Sequence, residues 1–221
     1  ILSSGGNAFD AAVGTAFALS VVEPMMVGPF GGGFTNFFKP NEGFSTIDGY
    51  GSAPGSAHEK MYKPISHDLA QYFDVEDQLN QNGYLAVGTP ANLLAWTHLV
   101  EKYGNFNLNE VIQPAINIAR NGFRVTDYLS DIIKDNIAEL SNYKESANIY
   151  LPNGRAPEKG EIIKNSNYAL TLEGIAKYGS AYLHEGELGK HIEDEMKKNG
   201  GLVTLNDLKR QKIFYREPIV G

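Results

Sequence analysis

Residues 7–24 read NAFDAAVGTAFALSVVEP, and the placement of this stretch decides the fold. Asn7 can accept hydrogen bonds from the free amides of a helix start, and Pro24 cannot continue one. The spacing therefore predicts a helix of about fifteen residues ending near Val22. Nearly every position is apolar or small, so no wide polar face exists, and Ala, Gly and Thr allow close approach. A helix of that composition belongs in the interior of a layered domain. A signal peptide is the competing reading. Asp10, the Glu23-Pro24 end and the lack of a basic leader argue against it. The run is also too short and too rich in small residues for a membrane span.

Outward from this helix, Gly31-Gly32-Gly33 leads into GFTNFF (33–38) and GFSTID (43–48). These β-prone runs flank Lys39-Pro40-Asn41-Glu42, a turn-forming set, and predict a hairpin. Residues 64–84 are polar and irregular, a loop. Helical pattern resumes at Thr89-Pro90, where Thr89 can cap and Pro90 suits a first turn leading into ANLLAWTHLVEKYG (91–104). Asn107 caps LNEVIQPAINIARNG (108–122), which Pro114 is expected to kink or divide. VTDYLSDIIKDNIAELSN (125–142) keeps helical period. Beyond a loop at Pro152-Asn153-Gly154, two amphipathic helices end at glycines, in NYALTLEGIAKYG (167–179) and LGKHIEDEMKKNGG (188–201). Thr204 and Asp207 form a capping-box pattern. KIFYREPIVG (212–221) reads as a strand that stops in mid-course, and Ile1 begins without Met, so both ends are expected to be cut from a longer polypeptide. By element type the chain divides into a core helix and hairpin (1–63) and a mainly helical region (85–211), an α+β layered arrangement.

The 221 residues are 42% hydrophobic and 20% charged with a net charge of −7, an ordinary globular balance without the basic surplus that phosphate binding needs. Without cysteine there is no disulfide, zinc thiolate site or thiol nucleophile, which fits cytosol and periplasm equally. The glycines match neither phosphate-loop pattern and precede a strand, whereas phosphate cradles open a helix; close backbone packing is the better reading. Histidines 58, 67, 98, 184 and 191 form no i, i+4 pair. His184 and His191, flanking Glu185 and Glu187, read as a solvated charged loop. No G-x-S-x-G elbow occurs, and no metal or cofactor is implied. Asp48, at a strand end, reads as the side-chain cap of the following turn.

Several collinear stretches carry a resemblance. GGNAFDAAVGTAFALSVVEP followed by GGGF, LAVGTPANLLAWTHLVEKYG, LNEVIQPAINIARNGFRVTDYL and MKKNGGLVTLNDL resemble, in order and along essentially the whole chain, the γ-glutamyltranspeptidase family. The resemblance implies an N-terminal nucleophile hydrolase fold, an αββα sandwich, made as a precursor that cleaves itself. The new N-terminal threonine of the small subunit is then nucleophile and, through its own amine, general base. This chain would be part of the large subunit, with the small subunit as its partner and no catalytic nucleophile of its own.

The family's large subunit grips the substrate α-carboxylate with the arginine of D-x-R-E-x-A-P, a natural use of a guanidinium fork. The corresponding stretch here is Asp48-Gly49-Tyr50-Gly51-Ser52-Ala53-Pro54. Tyr50 stands in the arginine's place and Gly51 in the glutamate's. A phenol donates one hydrogen bond and neutralises nothing, so the expectation is an amidohydrolase or acyltransferase of altered acyl specificity. In it Tyr50 and Asp48 lie near the acyl pocket and Gly31, Gly32 and Gly33 shape the backbone beside it. One alternative is a true γ-glutamyltransferase using Arg120, Arg124, Arg155, Arg210 or Arg216 instead. A second is a non-catalytic homologue used for binding or assembly.

Overall fold

A computed structural model describes residues 1–66, 68 and 73–219; His67 and part of the expected 64–84 loop lie outside the described residues. In chain order the elements are α1 (Ala8–Val22), β1 (Gly33–Lys39), β2 (Gly43–Gly49), α2 (Asn92–Tyr103) and α3 (Leu108–Asn121). There follow β3 (Phe123–Arg124), α4 (Asp127–Asp135), α5 (Ile137–Ser141), α6 (Lys144–Tyr150), β4 (Ile162–Ile163) and α7 (Ser166–Tyr178). The chain closes with α8 (Ala181–His184), α9 (Glu187–Asn199), α10 (Leu205–Arg210) and β5 (Phe214–Arg216). They form two compact units, 1–28 with 97–179 and 29–96 with 180–221. Each unit is discontinuous in sequence, so the division at 1–63 and 85–211 follows element type rather than packing.

The first unit is helical. Asn7 caps α1, its side chain accepting from the Phe9 and Asp10 amides while Asp10 accepts from the Asn7 amide. Asp10 is buried, and its carboxylate also accepts from the amides of Asn105 at 2.9 Å and Phe106 at 3.3 Å, tying the helix start to the turn before α3. α1 packs on α3, and α3 on α7. Val13, Phe17, Ile112, Ile116, Leu172 and Ile175 fill this core. Each such side chain contributes about 1.5–3 kcal/mol by leaving water. The central burial expected of α1 holds for Val13, Gly14, Phe17, Ser20 and Val21, while Ala8, Ala12 and Thr15 remain exposed. A second cluster of Val125, Leu129, Ile133, Leu151 and Ile163 lies under the short β3–β4 pair.

The division expected at Pro114 and the unbroken helix expected after residue 125 do not occur. α3 runs undivided through Pro114, because Val111, Ile112, Ala115, Ile116 and Ala119 are all buried and hold the helix together against a proline cost of about 3 kcal/mol. The helical period after residue 125 is broken at Asn136, whose φ of −116° and ψ of 24° separate α4 from α5.

The second unit holds the sheet, in antiparallel order β1-β2-β5. The hairpin turns at 40–42, where the Glu42 amide donates to Lys39, and Gly43 supplies a φ of 78°. Ile47 and Gly49 share the sheet face that packs inward, with Gly49 against Ala95 of α2. The register puts Phe34, Asn36, Phe38, Phe44, Thr46, Asp48, Phe214 and Arg216 on the opposite face. All four phenylalanines of that face are exposed. α8, α9 and α10 pack on one another around Leu183 and Leu208.

Thr89 does not cap α2. It pairs backbone to backbone with Ser52, and the first amides of the helical segment donate to the carbonyls of Gly31 and Pro29 instead. His184 is not on a solvated loop either. It is buried, and its Nδ1 donates to the Leu208 carbonyl at 2.9 Å. Burial lowers its pKa, the protonated ring being harder to bury than the neutral one. Among the described residues no helix is long and apolar enough to cross a membrane.

Candidate functional site

The segment Gly31–Gly33 and the turn Asp48–Ser52 meet in the second unit, and glycine is what lets them meet. A Cβ on Gly32 would fall 2.3 Å from the Gly51 nitrogen, and one on Gly51 would fall 2.9 Å from the Thr89 carbonyl oxygen. Neither distance is tolerable between backbones. Gly33 lies against Asn92, and the Gly31 carbonyl accepts the Ala91 and Asn92 amides at 3.0 Å. The three glycines thus form a backbone seam joining the hairpin, the turn and the start of α2. A side chain at Gly51 would displace the Ser52–Thr89 backbone pair.

Tyr50 leaves β2 on the exposed sheet face. Its ring stacks on Phe34 with centroids 5.6 Å apart and planes at 22°, yet it remains 63% exposed. Its backbone is fixed from two sides. The Tyr50 amide donates to Asp48 Oδ1 at 3.1 Å, the turn-capping role read from the sequence. The Tyr50 carbonyl accepts from Gln211 Nε2 at 3.2 Å, and Gln211 Oε1 accepts the Ser52 hydroxyl at 2.9 Å. One amide side chain therefore spans the turn. Farther along, the Gly55 amide donates to Asp207 Oδ1 at 2.9 Å.

Asp48 does a second thing that the sequence did not announce. Its Oδ2 accepts from Arg216 Nε at 3.1 Å and Nη2 at 2.9 Å, across the β2–β5 pair. The Tyr50 amide, and then the Arg216 guanidinium, hold the Asp48 carboxyl below the ordinary carboxylate range. Gln211 was missed as a site-forming residue, and Arg216 was named only as one of five alternative arginines, because nothing local marks their pairing with the turn. The signal was the strand-like end of the chain, and its partner strand is far away in sequence.

The five alternative arginines separate cleanly. Arg120 pairs with Glu173, Arg155 is bidentate on Glu161 at 2.7 and 2.8 Å, and Arg124 donates to the Gly160 carbonyl; all three belong to the first unit. Arg210 and Arg216 belong to the unit that carries Tyr50. His58, His98, His184 and His191 bring no metal cluster together among the described residues.

Beside Tyr50 opens a cavity of about 480 Å³, walled by Phe30, Gly31, Gly32, Met61, Tyr62 and the 85–90 segment together with the turn itself. None of its described lining residues is charged.

Comparison with known proteins places this geometry. The family described as Gamma-glutamyltranspeptidase matches residues 1–221. An Acylase ACY 1 proenzyme from Pseudomonas sp. (strain V22) is 42% identical over the whole chain, which covers 40% of that protein. A Glutathione hydrolase proenzyme from Escherichia coli (strain K12) is 36% identical over the whole chain, covering 37% of it. Among solved structures, the γ-glutamyltranspeptidase of Helicobacter pylori superposes with a TM-score of 0.91 at 32% identity, over 100% of this chain and 62% of that one. The chain thus spans about two fifths of the length of these curated relatives, and its mixed helix-and-sheet fold is theirs. With a family match over every residue and a fold likeness this close, the chain belongs to the γ-glutamyltranspeptidase family.

Proposed function

We propose that these residues are the large-subunit portion of an acylase-type amidohydrolase, in which Tyr50 and the cavity beside it receive an uncharged acyl group. The observation that carries this reading is the lack of any charged side chain among the described walls of that cavity. A γ-glutamyl group brings an α-carboxylate and an ammonium. Binding a carboxylate with no cation beside it forfeits about 3 kcal/mol relative to a guanidinium contact, roughly a hundredfold in affinity. An uncharged acyl chain loses nothing there and gains contact with Phe30, Met61 and Tyr62. The similarity to an acylase proenzyme supports the same direction.

The chemistry is that of an N-terminal threonine supplied by the rest of the proenzyme. Its hydroxyl oxygen bonds to the amide carbon as its own amine takes the proton. The C–N bond then breaks, the amine leaves with that proton, and water hydrolyses the resulting ester. Oxyanion stabilisation comes from backbone donors of the small subunit. Asp48 and Gln211 act as positioning residues for Tyr50, and the glycine seam sets the backbone height of the turn. The small subunit is also the partner for the exposed sheet face of Phe34, Phe38, Phe44 and Phe214, which is where the second sheet of an αββα sandwich stacks.

The test uses the full-length, self-processed protein with butanoyl and γ-glutamyl derivatives of one aromatic amine. The butanoyl amide is expected to show a kcat/KM at least about tenfold higher. Efficient γ-glutamyl transfer with weak butanoyl hydrolysis overturns the reading.

A further inference from the structure

Tyr50, Gly51 and Ser52 also line a second cavity, of about 310 Å³, whose remaining walls are Asp48, Arg210, Gln211, Lys212 and Phe214. Its chemistry differs from that of the first. Among the described wall residues the only anionic one is Asp48, and Arg216 already holds its Oδ2 through two nitrogens, so that pair contributes no net charge. Asp207, on the same helix as Arg210, lies within electrostatic reach of it. Its oxygens are committed to the Gly55 and Thr204 amides and the Thr204 hydroxyl. Neutral donors do not cancel its charge, so Asp207 offsets one cation. Arg210 and Lys212 together still leave the cavity net cationic in a chain whose net charge is −7.

We infer that this second cavity binds a carboxylate carried by the amine half of the amide substrate, on Arg210 and Lys212. The assignment to the amine half rests on the reading of the first cavity as the acyl site; the carboxylate chemistry does not. The two cavities share the Tyr50–Ser52 turn as a common wall, so an amide lying across that turn places one half in each. Tyr50 supplies an aromatic flank for the body of the amine, and Gln211 fixes the wall between Ser52 and Tyr50. Arg210 offers the fork that matches a carboxylate, and Lys212 a second charge. The substrate class is then an amide of an uncharged acid with a carboxylate-bearing amine.

4-Aminobenzoate and 4-aminobenzamide test this directly. Both are neutral amines of nearly equal size, differing by one charge. Binding of each to the self-processed full-length protein is measured by ligand-observed NMR titration at low and high salt. The benzoate is expected to bind about tenfold tighter or better at low salt. The preference should vanish in the double variant Arg210→Ala/Lys212→Ala and return in the charge-conserving Arg210→Lys/Lys212→Arg. Equal binding of the two probes to the unaltered protein, or a preference untouched by the double alanine variant, overturns the inference. The N-butanoyl derivatives of the same amines separate the two readings. If neither is hydrolysed while the benzoate preference stands, the acyl assignment fails and the carboxylate site survives. If both are hydrolysed with equal KM and no binding preference exists, the carboxylate site fails and the acyl assignment survives.

Discussion

The polar groups that fix the start of α1 and those that fix the Tyr50 turn lie at different depths. In the helical unit, Asp10 is fully enclosed and accepts from three backbone amides, of Asn7, Asn105 and Phe106. Tyr168 there is half-buried, its hydroxyl 2.7 Å from that of buried Ser20, and desolvation pushes its pKa up. Around the Tyr50 turn, half-buried Asp48 and Gln211 reach exposed partners, Arg216 and Ser52, beside an exposed ring. Enclosed and satisfied polar groups specify a fold. Shallower ones, held by a seam of glycine backbone, keep a wall in place while leaving it accessible to a ligand. The difference separates the part of the molecule that holds its shape from the part that offers a surface.

Asp10→Ala should have the largest effect on stability. It leaves three backbone amides without their acceptor, and about 3–5 kcal/mol should be lost in denaturant unfolding of the full-length protein. A loss under about 1 kcal/mol would show that α1 is not fixed this way. Gly32→Ala should come next, and on the other side of the comparison. A Cβ there meets the Gly51 nitrogen, and neither backbone can yield without moving Tyr50. Stability should fall by about 2 kcal/mol and kcat/KM by about tenfold or more. An unchanged kcat/KM would mean that the seam does not position the turn.

The smallest effect concerns pH. His184 has a folded-state pKa below its ordinary value of 6.5, chiefly through burial, so the unfolded chain binds the proton more readily than the native one. Its contribution is therefore complete above pH 6.5 and is lost as the pH falls below it. His184→Gln should flatten the acid side of the stability–pH curve between pH 5 and 7, the range spanning the ordinary imidazole value. An acid limb as steep as that of the unaltered protein would assign the slope to other groups.

What could be read from sequence was what is decided within a few residues. Asn7, Asn107 and Thr204 each form the cap that their spacing implies, because a capping box closes over a three-residue interval. The hairpin formed where two β-prone runs flank a proline turn. Thr89 had the right chemistry for a cap, but the carbonyls of Pro29 and Gly31, brought there by the fold, reached the helix start first. Pro114 had the right chemistry for a break and was overruled by burial on both sides of it. At the site, the glycine seam and the Asp48–Tyr50 turn were legible because they are local. Gln211 was not, and Arg210 and Arg216 stood in sequence only among five equivalent arginines, since β5 joins β2 across most of the chain and no short pattern encodes that pairing. The arginine alternatives illustrate the same limit: five were equivalent in sequence, and only the fold sorted them.

Tyr50 is the hinge of the account, and Tyr50→Arg in the self-processed full-length protein tests it most directly. The ratio of kcat/KM for a γ-glutamyl amide over the matching butanoyl amide is the quantity to measure. If Tyr50 sets acyl preference, the arginine should raise that ratio by about a hundredfold, the worth of a charge-assisted carboxylate contact of about 3 kcal/mol. A ratio that does not move, in a variant that still self-processes, would contradict the claim that residue 50 faces the acyl group.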